Sequence, residues 1–269
     1  MTGSWLMALL IFGTPAMAKK PFTELKPKKQ AAMLREAGFQ AEKKVPKRWL
    51  AAQYVLAFEQ RSGGKERGKN RAVTMELSER EYQALCDASF VQLQEQLKRR
   101  DIELLPSDSF KDNSAYNEKK VKIKYRPTER PVAWTYATGT REVAATLPKL
   151  AVNITRLKLR DTEAEKKAKL VFINQAVKMC KVDDKEDVEV SGLPMGSWSA
   201  CSVSYEIWGT GLGMKTRIFP GSAAAWGLEL PEPDVSFIDG DEEQKAYARG
   251  ALQVLWLQVE LSLALMDRS

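Results

Sequence analysis

The stretch that decides the fold is SEREYQALCDASFVQLQEQLKRR, residues 78–100. Ser78 and Glu81 have the spacing of a capping box, in which each side chain satisfies the other residue's backbone amide at a helix start. Apolar and small side chains then recur every three or four positions, which predicts one buried helix face. They are Tyr82, Leu85, Cys86, Ser89, Phe90, Leu93 and Leu97. Basic residues, Lys98 to Arg100, end the helix where its dipole favours cations.

Strands are predicted on both sides of this helix. Ala72–Leu77 precedes it and Ile102–Leu105 follows it, so the order strand, helix, strand predicts a crossover, right-handed if the strands are parallel. Trp49–Phe58 reads WLAAQYVLAF, an apolar run typical of a strand buried on both faces. Residues 59–71 are polar and contain glycines, which predicts a loop.

The second half of the chain has the pattern of a β structure. Pro127 and Pro131 mark a seam between subdomains. Beyond them, alternating and apolar runs predict a series of strands. The strands are Val132–Ala137, Leu150–Leu159, Leu170–Met179 (also compatible with a helix), Trp198–Trp208 and Met214–Phe219, with Met214–Phe219 as hairpin partner of the strand before it.

Residues 241–266 predict a helix that is apolar nearly all round from Ala251 onward. Such a helix is buried in a core, packed on a partner or set in a membrane. Glu260 and the short apolar span argue against a membrane crossing, and core packing is favoured over an oligomer or partner interface. The side chains that would make either contact are Leu252, Leu255, Trp256, Val259 and Leu263.

These elements together predict an α+β fold. It has a mixed sheet or sheets, a long amphipathic crossover helix at about 78–100 and an apolar C-terminal helix at about 241–266. The predicted division is a leader over 1–18, a basic arm over 19–48, an α/β subdomain over 49–126 and a β-rich subdomain with the C-terminal helix over 127–269. The two subdomains are also compatible with one continuous domain.

The first 18 residues, MTGSWLMALLIFGTPAMA, carry no charge and predict a secretory signal peptide. An apolar run, Leu6–Phe12, leads to the small-x-small pattern Ala16-Met17-Ala18. A short membrane anchor is the alternative, but the run is too short to span about 30 Å of hydrocarbon, so cleavage after Ala18 is favoured. Export of this kind predicts a periplasmic or secreted protein with no transmembrane span after cleavage.

The formal net charge of +7 is concentrated in residues 19–48, which hold ten basic and three acidic residues. Such an arm predicts contact with an anionic lipid surface, an anionic envelope polymer or an acidic partner protein of the envelope. Nucleic acid is not expected, because only Phe22 and Phe39 interleave the charges. A solvated, weakly ordered segment is the alternative. Candidate contacts are Lys19, Lys20, Lys26, Lys28, Lys29, Lys43, Lys44, Lys47 and Arg48.

The cysteine count is odd, so Cys86, Cys180 and Cys201 cannot all pair. Cys86 falls on the apolar stripe of the first long helix, which predicts a buried, inert thiol. Cys180 and Cys201 lie on or beside two neighbouring predicted strands, and a disulfide between them is expected as readily as two free thiols. The bridge would close a loop of about 20 residues, worth roughly 3 kcal/mol in the chain-entropy model.

The chain contains no histidine. This excludes Ser-His-Asp and Cys-His nucleophile systems, His-ligated catalytic zinc and His-ligated haem. A binding protein is therefore favoured over an enzyme, and no catalytic, cofactor-binding or metal-binding residue is predicted. A hydrolase that uses a carboxylate pair and a secreted effector are the alternatives.

Four short motifs are interpreted as turns. Gly63–Asn70 nearly matches a phosphate loop, but Asn70 replaces the hydroxyl that holds magnesium and no helix is predicted after it. Ser62–Lys65 has S-x-x-K spacing without the companion motifs of serine acyl-enzymes. Gly209–Gly213 lacks the spacing of a dinucleotide loop, and Asp183–Asp187 lacks that of a calcium loop.

Residues 51–110 resemble exported bacterial envelope proteins of the CsgG and LpoB type, and also several uncharacterised exported proteins. The resemblance rests on the strand end Leu56-Ala57-Phe58, the long helix and the strand Ile102–Leu105. It covers about 60 residues, and the chain lacks the lipidated cysteine of that type. The resemblance implies a non-catalytic role in the envelope, in assembly, in secretion or in activating a partner enzyme.

Overall fold

The computed structural model describes eleven ranges of the chain. They are residues 21–41, 45–66, 69–105, 107–110, 112–117, 124–126, 132–140, 159–181, 198–208, 212–214 and 217–268. The acidic cluster Asp183–Asp187 and nearly all of the predicted strand Leu150–Leu159 lie outside these ranges.

The described elements alternate between helices and strands along the chain. The helices are α1 (Pro27–Glu36), α2 (Glu79–Lys98), α3 (Ser114–Asn117), α4 (Arg160–Glu165) and α5 (Glu242–Asp267), with 3-10 helices at Phe22–Glu24, Ser107–Phe110 and Pro220–Trp226. The strands are β1 (Phe39–Gln40), β2 (Arg48–Glu59), β3 (Arg61–Glu66), β4 (Lys69–Thr74), β5 (Glu103–Leu105), β6 (Lys124–Arg126), β7 (Val132–Tyr136), β8 (Lys169–Lys181), β9 (Trp198–Trp208) and β10 (Leu212–Met214).

The fold is α+β, as predicted, and it is built on one mixed eight-stranded sheet. The strand order is β1-β10-β9-β8-β2-β7-β6, and β5 pairs with the first residues of β2. Strand β2 runs parallel to β5 and β8 and antiparallel to β7. It therefore supplies the backbone partners for three other strands, which explains why its sequence is almost entirely apolar.

Strand β2 is buried from Trp49 to Glu59, so the prediction of burial on both faces is confirmed. A register shift in its pairing with β8 lies between Ala51 and Gln53. The shift exchanges the two faces. Ahead of it, Trp49 and Ala51 belong to the main core, and beyond it the even-numbered residues from Tyr54 to Phe58 do.

The predicted loop and the strand before α2 need correction. Residues 61–74 form a hairpin in which β3 and β4 pair from Arg61↔Thr74 to Glu66↔Lys69. The polar composition indicated a loop, but an antiparallel ladder satisfies the same backbone groups without apolar side chains. The strand parallel to β5 is therefore β2 rather than Ala72–Leu77, and the crossover runs from β2 through the hairpin and α2.

Helices α2 and α5 confirm the two predicted long helices. Both begin at capping boxes, at Ser78 with Glu81 and at Asp241 with Gln244. They lie side by side in the same direction, because Gln244 Nε2 donates to the Glu76 carbonyl (2.7 Å) at their starts. Near their ends, Gln96 Nε2 donates to the Trp256 carbonyl (2.9 Å). Both helices contribute to the main core on one face of the sheet.

The predicted contact residues of α5 lie mostly inside that core. Leu252, Leu255, Val259 and Leu263 are each at most 2% exposed, and Trp256 is partly buried against them. The main core includes residues from Phe22 to Leu265. A smaller cluster on the other face of the sheet contains Leu50, Phe110, Tyr116 and Phe172.

Two predicted elements in the second half differ in extent. The prediction for Trp198–Trp208 is confirmed as β9, and Leu170–Met179 is a strand, β8, rather than a helix. The hairpin partner of β9 is Leu212–Met214, not Met214–Phe219. Gly213 pairs with Glu206 inside this strand, so this glycine is a ladder residue and not part of the turn.

An ion-pair cluster joins the ends of α2 and α5, and we predict that it stabilises the fold. Arg100 binds both oxygens of Glu260, and its Nε lies 3.0 Å from Asp267 Oδ2. Burial lowers the pKa of the Arg100 guanidinium, but hydrogen bonds and charges from Glu260 and Asp267 outweigh burial and raise it. Arg100→Met should lower the free energy of unfolding by about 2 kcal/mol, because Glu260 is left half-desolvated without its cation.

Urea denaturation of three further variants checks this expectation. Arg48→Met removes an exposed pair with Glu103 and should cost less than about 1 kcal/mol. The double variant Arg100→Met/Glu260→Met should recover part of the loss, because no charge is then left unpaired. Equal losses for Arg100→Met and Arg48→Met would contradict the assignment.

Candidate functional site

The basic arm is folded where the structure describes it, and α1 is its main element. Lys26 caps the helix and Pro27 occupies its first position, where a missing amide costs nothing. Gln30, Ala31 and Leu34 form the buried face. The helix ends at Glu36, earlier than the predicted Lys44, because Gly38 adopts φ +90° and turns the chain into β1.

Phe22 and Gln30 anchor the arm to the body. Gln30 Nε2 donates to the Phe22 carbonyl (2.7 Å), and Arg268 Nε donates to Gln30 Oε1 (2.6 Å). The Phe22 ring makes an edge contact with Trp226, with centroids 5.0 Å apart. The Arg268 guanidinium lies 5.9 Å from the Phe22 ring centre. These contacts join the arm to the last turn of α5, so the alternative of a weakly ordered segment does not describe residues 21–41.

The predicted anion contacts separate into three groups. Lys26, Lys28 and Lys29 are exposed at the start of α1, and among the described residues none of them pairs with a carboxylate. Lys47 and Arg48 are exposed but engaged: Lys47 Nζ donates to the Arg100 carbonyl (3.0 Å), and Arg48 pairs with Glu103. Lys19, Lys20, Lys43 and Lys44 lie outside the described residues.

Two further cations lie at the same end of the molecule. Lys98 and Arg99 are exposed at the end of α2, next to Arg100, which contacts Asp267 of α5. The adjacent residue, Arg268, contacts Gln30 of α1. The sequence showed Lys98 and Arg99 only as helix-ending cations, and their proximity to the arm depends on how α1, α2 and α5 pack.

Glu81 is a buried carboxylate with a structural role. Its Oε2 accepts hydrogen bonds from the Ser78 amide and hydroxyl, both 2.7 Å, and its Oε1 accepts from the Asp239 amide (2.9 Å). Burial raises the pKa of Glu81, but the hydrogen bonds from Ser78 and the backbone outweigh it, so the pKa lies below its ordinary value. Glu81 thus joins the starts of α2 and α5 as an anion.

The pair Glu260 and Asp267 converges on Arg100 rather than on a cleft. An acid–base carboxylate pair needs one group held protonated and the other ionised, whereas one guanidinium favours the ionised form of both.

An open depression of about 620 Å³ lies between residues 233–239 and the first turns of α5. Its lining is of mixed charge: Pro233, Asp234, Val235, Ser236, Ile238, Asp239, Lys245 and Arg249. Asp234 accepts from the Ser236 amide (2.8 Å), and this bond lowers the pKa of Asp234. Arg249 Nε lies 2.8 Å from Glu232 and Lys245 Nζ lies 3.3 Å from Glu242, so both cations already have counter-charges.

Hydroxyl and thiol groups in the core are closed off from solvent. The Tyr54 hydroxyl lies 2.7 Å from Ser89 Oγ and donates to Gln175 Oε1 (2.8 Å), and all three residues are buried. Cys86 donates to the Thr135 carbonyl (3.4 Å). Burial, followed by the charge of Asp87, raises the pKa of Cys86 well above its ordinary value, so this thiol is the inert, buried one that was predicted.

The predicted cysteine pair comes together on the opposite side of the sheet. Cys180 of β8 and Cys201 of β9 have Cα atoms 5.8 Å apart, inside the range of disulfides. The β8–β9 register pairs Cys180 with Ser199 and Lys178 with Cys201, so the cysteines are diagonal neighbours. Phe219 packs beside them.

The structure also places the motifs that were interpreted as turns. Gly63–Asn70 belongs to the β3–β4 hairpin, so the lysine is not followed by the helix start that a phosphate loop requires. Ser62 and Lys65 lie on β3, whereas S-x-x-K chemistry needs a helix. Within the described residues, no group of three or more cysteine or carboxylate side chains could hold a metal ion. None of the described helices is both long and apolar enough to cross a membrane.

No family model, curated protein or solved structure matches this chain. The resemblance of residues 51–110 to envelope proteins of the CsgG and LpoB type therefore stays a prediction.

The Glu81 contacts predict a stability difference that depends on pH. A folded-state pKa below that of the unfolded chain favours folding at pH values above the unfolded value, and this contribution disappears as pH falls through the folded value. At pH 7, Glu81→Gln should cost about 2 kcal/mol, because an amide cannot accept from both Ser78 and Asp239. The difference from wild type should vanish below about pH 3.

Glu79→Gln is the matched control for that experiment. Glu79 lies in the same first turn and is exposed, so its change should cost less than about 0.5 kcal/mol. Thermal unfolding of both variants from pH 3 to 8 measures the effect. A Glu81→Gln loss that persists unchanged at pH 3 would exclude the carboxylate as its source.

The cysteine arrangement predicts how the thiols react. In native protein no thiol should react with iodoacetamide, and in denatured, unreduced protein only Cys86 should react. Cys180→Ser/Cys201→Ser should lose roughly 3 kcal/mol of stability, because the unfolded chain loses its loop constraint. Mass spectrometry and urea denaturation give both values. Three reactive thiols after denaturation without reductant would exclude the bridge.

Proposed function

We propose that this chain is an exported, non-catalytic protein of the cell envelope, an assembly or secretion accessory. It binds a partner protein or an anionic envelope component through its basic N-terminal arm. The observation that supports this most is the set of exposed lysines, Lys26, Lys28 and Lys29, on a helix that is anchored to the body by Gln30 and Phe22. An anchored basic surface loses little conformational freedom when it binds.

Export is proposed from the leader sequence and is supported by the cysteines. The pattern Ala16-Met17-Ala18 after an apolar run is typical of a cleaved signal peptide. A disulfide between Cys180 and Cys201 would persist in an oxidising compartment such as the periplasm. Its position across β8 and β9 links two strands of the central sheet.

The non-catalytic part of the proposal rests on how the chain's polar groups are used. In the described part of the chain, Glu81 caps a helix, Glu260 and Asp267 bind Arg100, and the Tyr54 and Ser89 hydroxyls bond inside the core. A hydrolase acting through a carboxylate pair and a secreted effector are the alternatives. Both predict an activity that persists after the arm's lysines are removed.

Substitution of the arm lysines tests the proposal. Lys28→Ala/Lys29→Ala should reduce binding to an envelope fraction about tenfold at low salt, and wild-type binding should fall as salt rises. Alanine favours helix, so α1 should stay folded. Protein purified from the periplasm, with an N-terminus at Lys19 by mass spectrometry, is the material for co-sedimentation.

Arg80→Ala/Lys245→Ala is the control, since it also removes two positive charges, at the other end of α2 and α5. It should leave binding unchanged. Binding that is insensitive to salt and equal in both double variants would remove the arm from the function.

A further inference from the structure

The basic residues of the arm and of α2 form one surface, which we call the C-terminal pole. It consists of Lys26, Lys28, Lys29, Lys98 and Arg99, all exposed. The last turn of α5 joins its two halves, because Asp267 contacts Arg100 (3.0 Å) and the next residue, Arg268, contacts Gln30 (2.6 Å). The carboxylates of this end are Glu24, Asp101 and Asp267, and Arg100 neutralises the last of them. The surface therefore stays basic.

The opposite end of the same helices is acidic. The exposed carboxylates at the starts of α2 and α5 form the N-terminal pole: Glu76, Glu79, Asp239, Asp241, Glu242 and Glu243. They are held at one end because Gln244 donates to the Glu76 carbonyl and the Asp239 amide donates to Glu81. Helix α5 has 26 residues, which separates the poles by about 39 Å.

We infer that the C-terminal pole docks on an anionic lipid bilayer and that the N-terminal pole faces away from it. The inference rests on the proposed function and names the surface and its occupant. Charges are screened over about 8 Å at physiological salt, so a membrane at one pole exerts almost no force on the other. The attraction of the basic pole and the repulsion of the acidic pole then select one orientation.

A lipid surface fits this pole better than a protein partner does. Protein interfaces need an apolar centre, and among the described residues the large exposed hydrophobic side chain is Val91, in the middle of α2 and away from the pole. Lysines without apolar neighbours suit headgroup phosphates. The apolar run Leu6–Phe12 ends nine residues before Pro21, a distance of at most about 30 Å along extended chain. The chain thus enters the fold at this pole from a segment that meets the membrane during export.

Vesicle binding tests the inference through residues outside the arm. The probes are vesicles of phosphatidylglycerol and phosphatidylcholine (about 3:7) and of phosphatidylcholine alone, at low and high salt. Lys98→Ala/Arg99→Ala should weaken binding to the anionic vesicles about 30-fold, at roughly fivefold per cation, as should Lys28→Ala/Lys29→Ala. Arg80→Ala/Lys245→Ala, with the same change in net charge, should weaken it less than twofold. Circular dichroism and thermal unfolding confirm that each variant is folded.

The outcomes separate this inference from the proposed function. If only the arm variant loses vesicle binding, the arm binds anions but the C-terminal pole is not the docking surface. If no variant binds vesicles but wild type binds an envelope extract in a salt-dependent way, the occupant is a polymer or protein and the lipid inference is wrong. Equal losses for all three double variants would show that net charge alone acts, which also overturns the orientation.

Discussion

The structure depends on the pairing of strand β2, which is buried on both faces and bonded along both edges. Its first residues pair with β5 and its last with β7 on one edge, and β8 pairs along the other. A strand in this position must be apolar throughout, because no side chain reaches solvent. The register shift at Ala51/Gln53 keeps large side chains on the helical face, with Trp49 ahead of it and Tyr54 after it. Both long helices can therefore lie on a single face.

Two parallel helices packed side by side bring their like-charged dipole ends together, and the charged residues offset this cost. At the starts, capping boxes and Glu81 supply negative charge to exposed amides. At the ends, Arg100 and Lys47 face backbone carbonyls and carboxylates. The distribution that this packing requires also leaves one basic and one acidic pole. The surface proposed for binding is thus a continuation of the charges that stabilise the helix pair.

Local features of the fold could be predicted from the sequence, and features that depend on distant pairing could not. Ser78 with Glu81 and the stripe after them placed α2 correctly, since capping and periodicity act within a few residues. The partner of β5 was misidentified, because strand pairing joins residues far apart and adjacency along the chain favoured Ala72–Leu77. The hairpin of β3 and β4 was missed since its ladder needs backbone groups only. For the candidate site, Lys26, Lys28 and Lys29 were found from charge, while Lys98 and Arg99 required the packing of α1, α2 and α5.

Charge counted along the chain and charge arranged in space lead to different expectations of binding. By count, all of the net charge of +7 belongs to residues 19–48 and the remainder is neutral. In the fold, that neutral remainder is polarised along α5, with Glu242 and Glu243 at one end and Arg268 at the other. The arm packs at the basic end through Gln30 and Arg268, so its charge adds to the existing polarity instead of cancelling it. A short arm can then direct the whole molecule, because the body already opposes the reverse orientation.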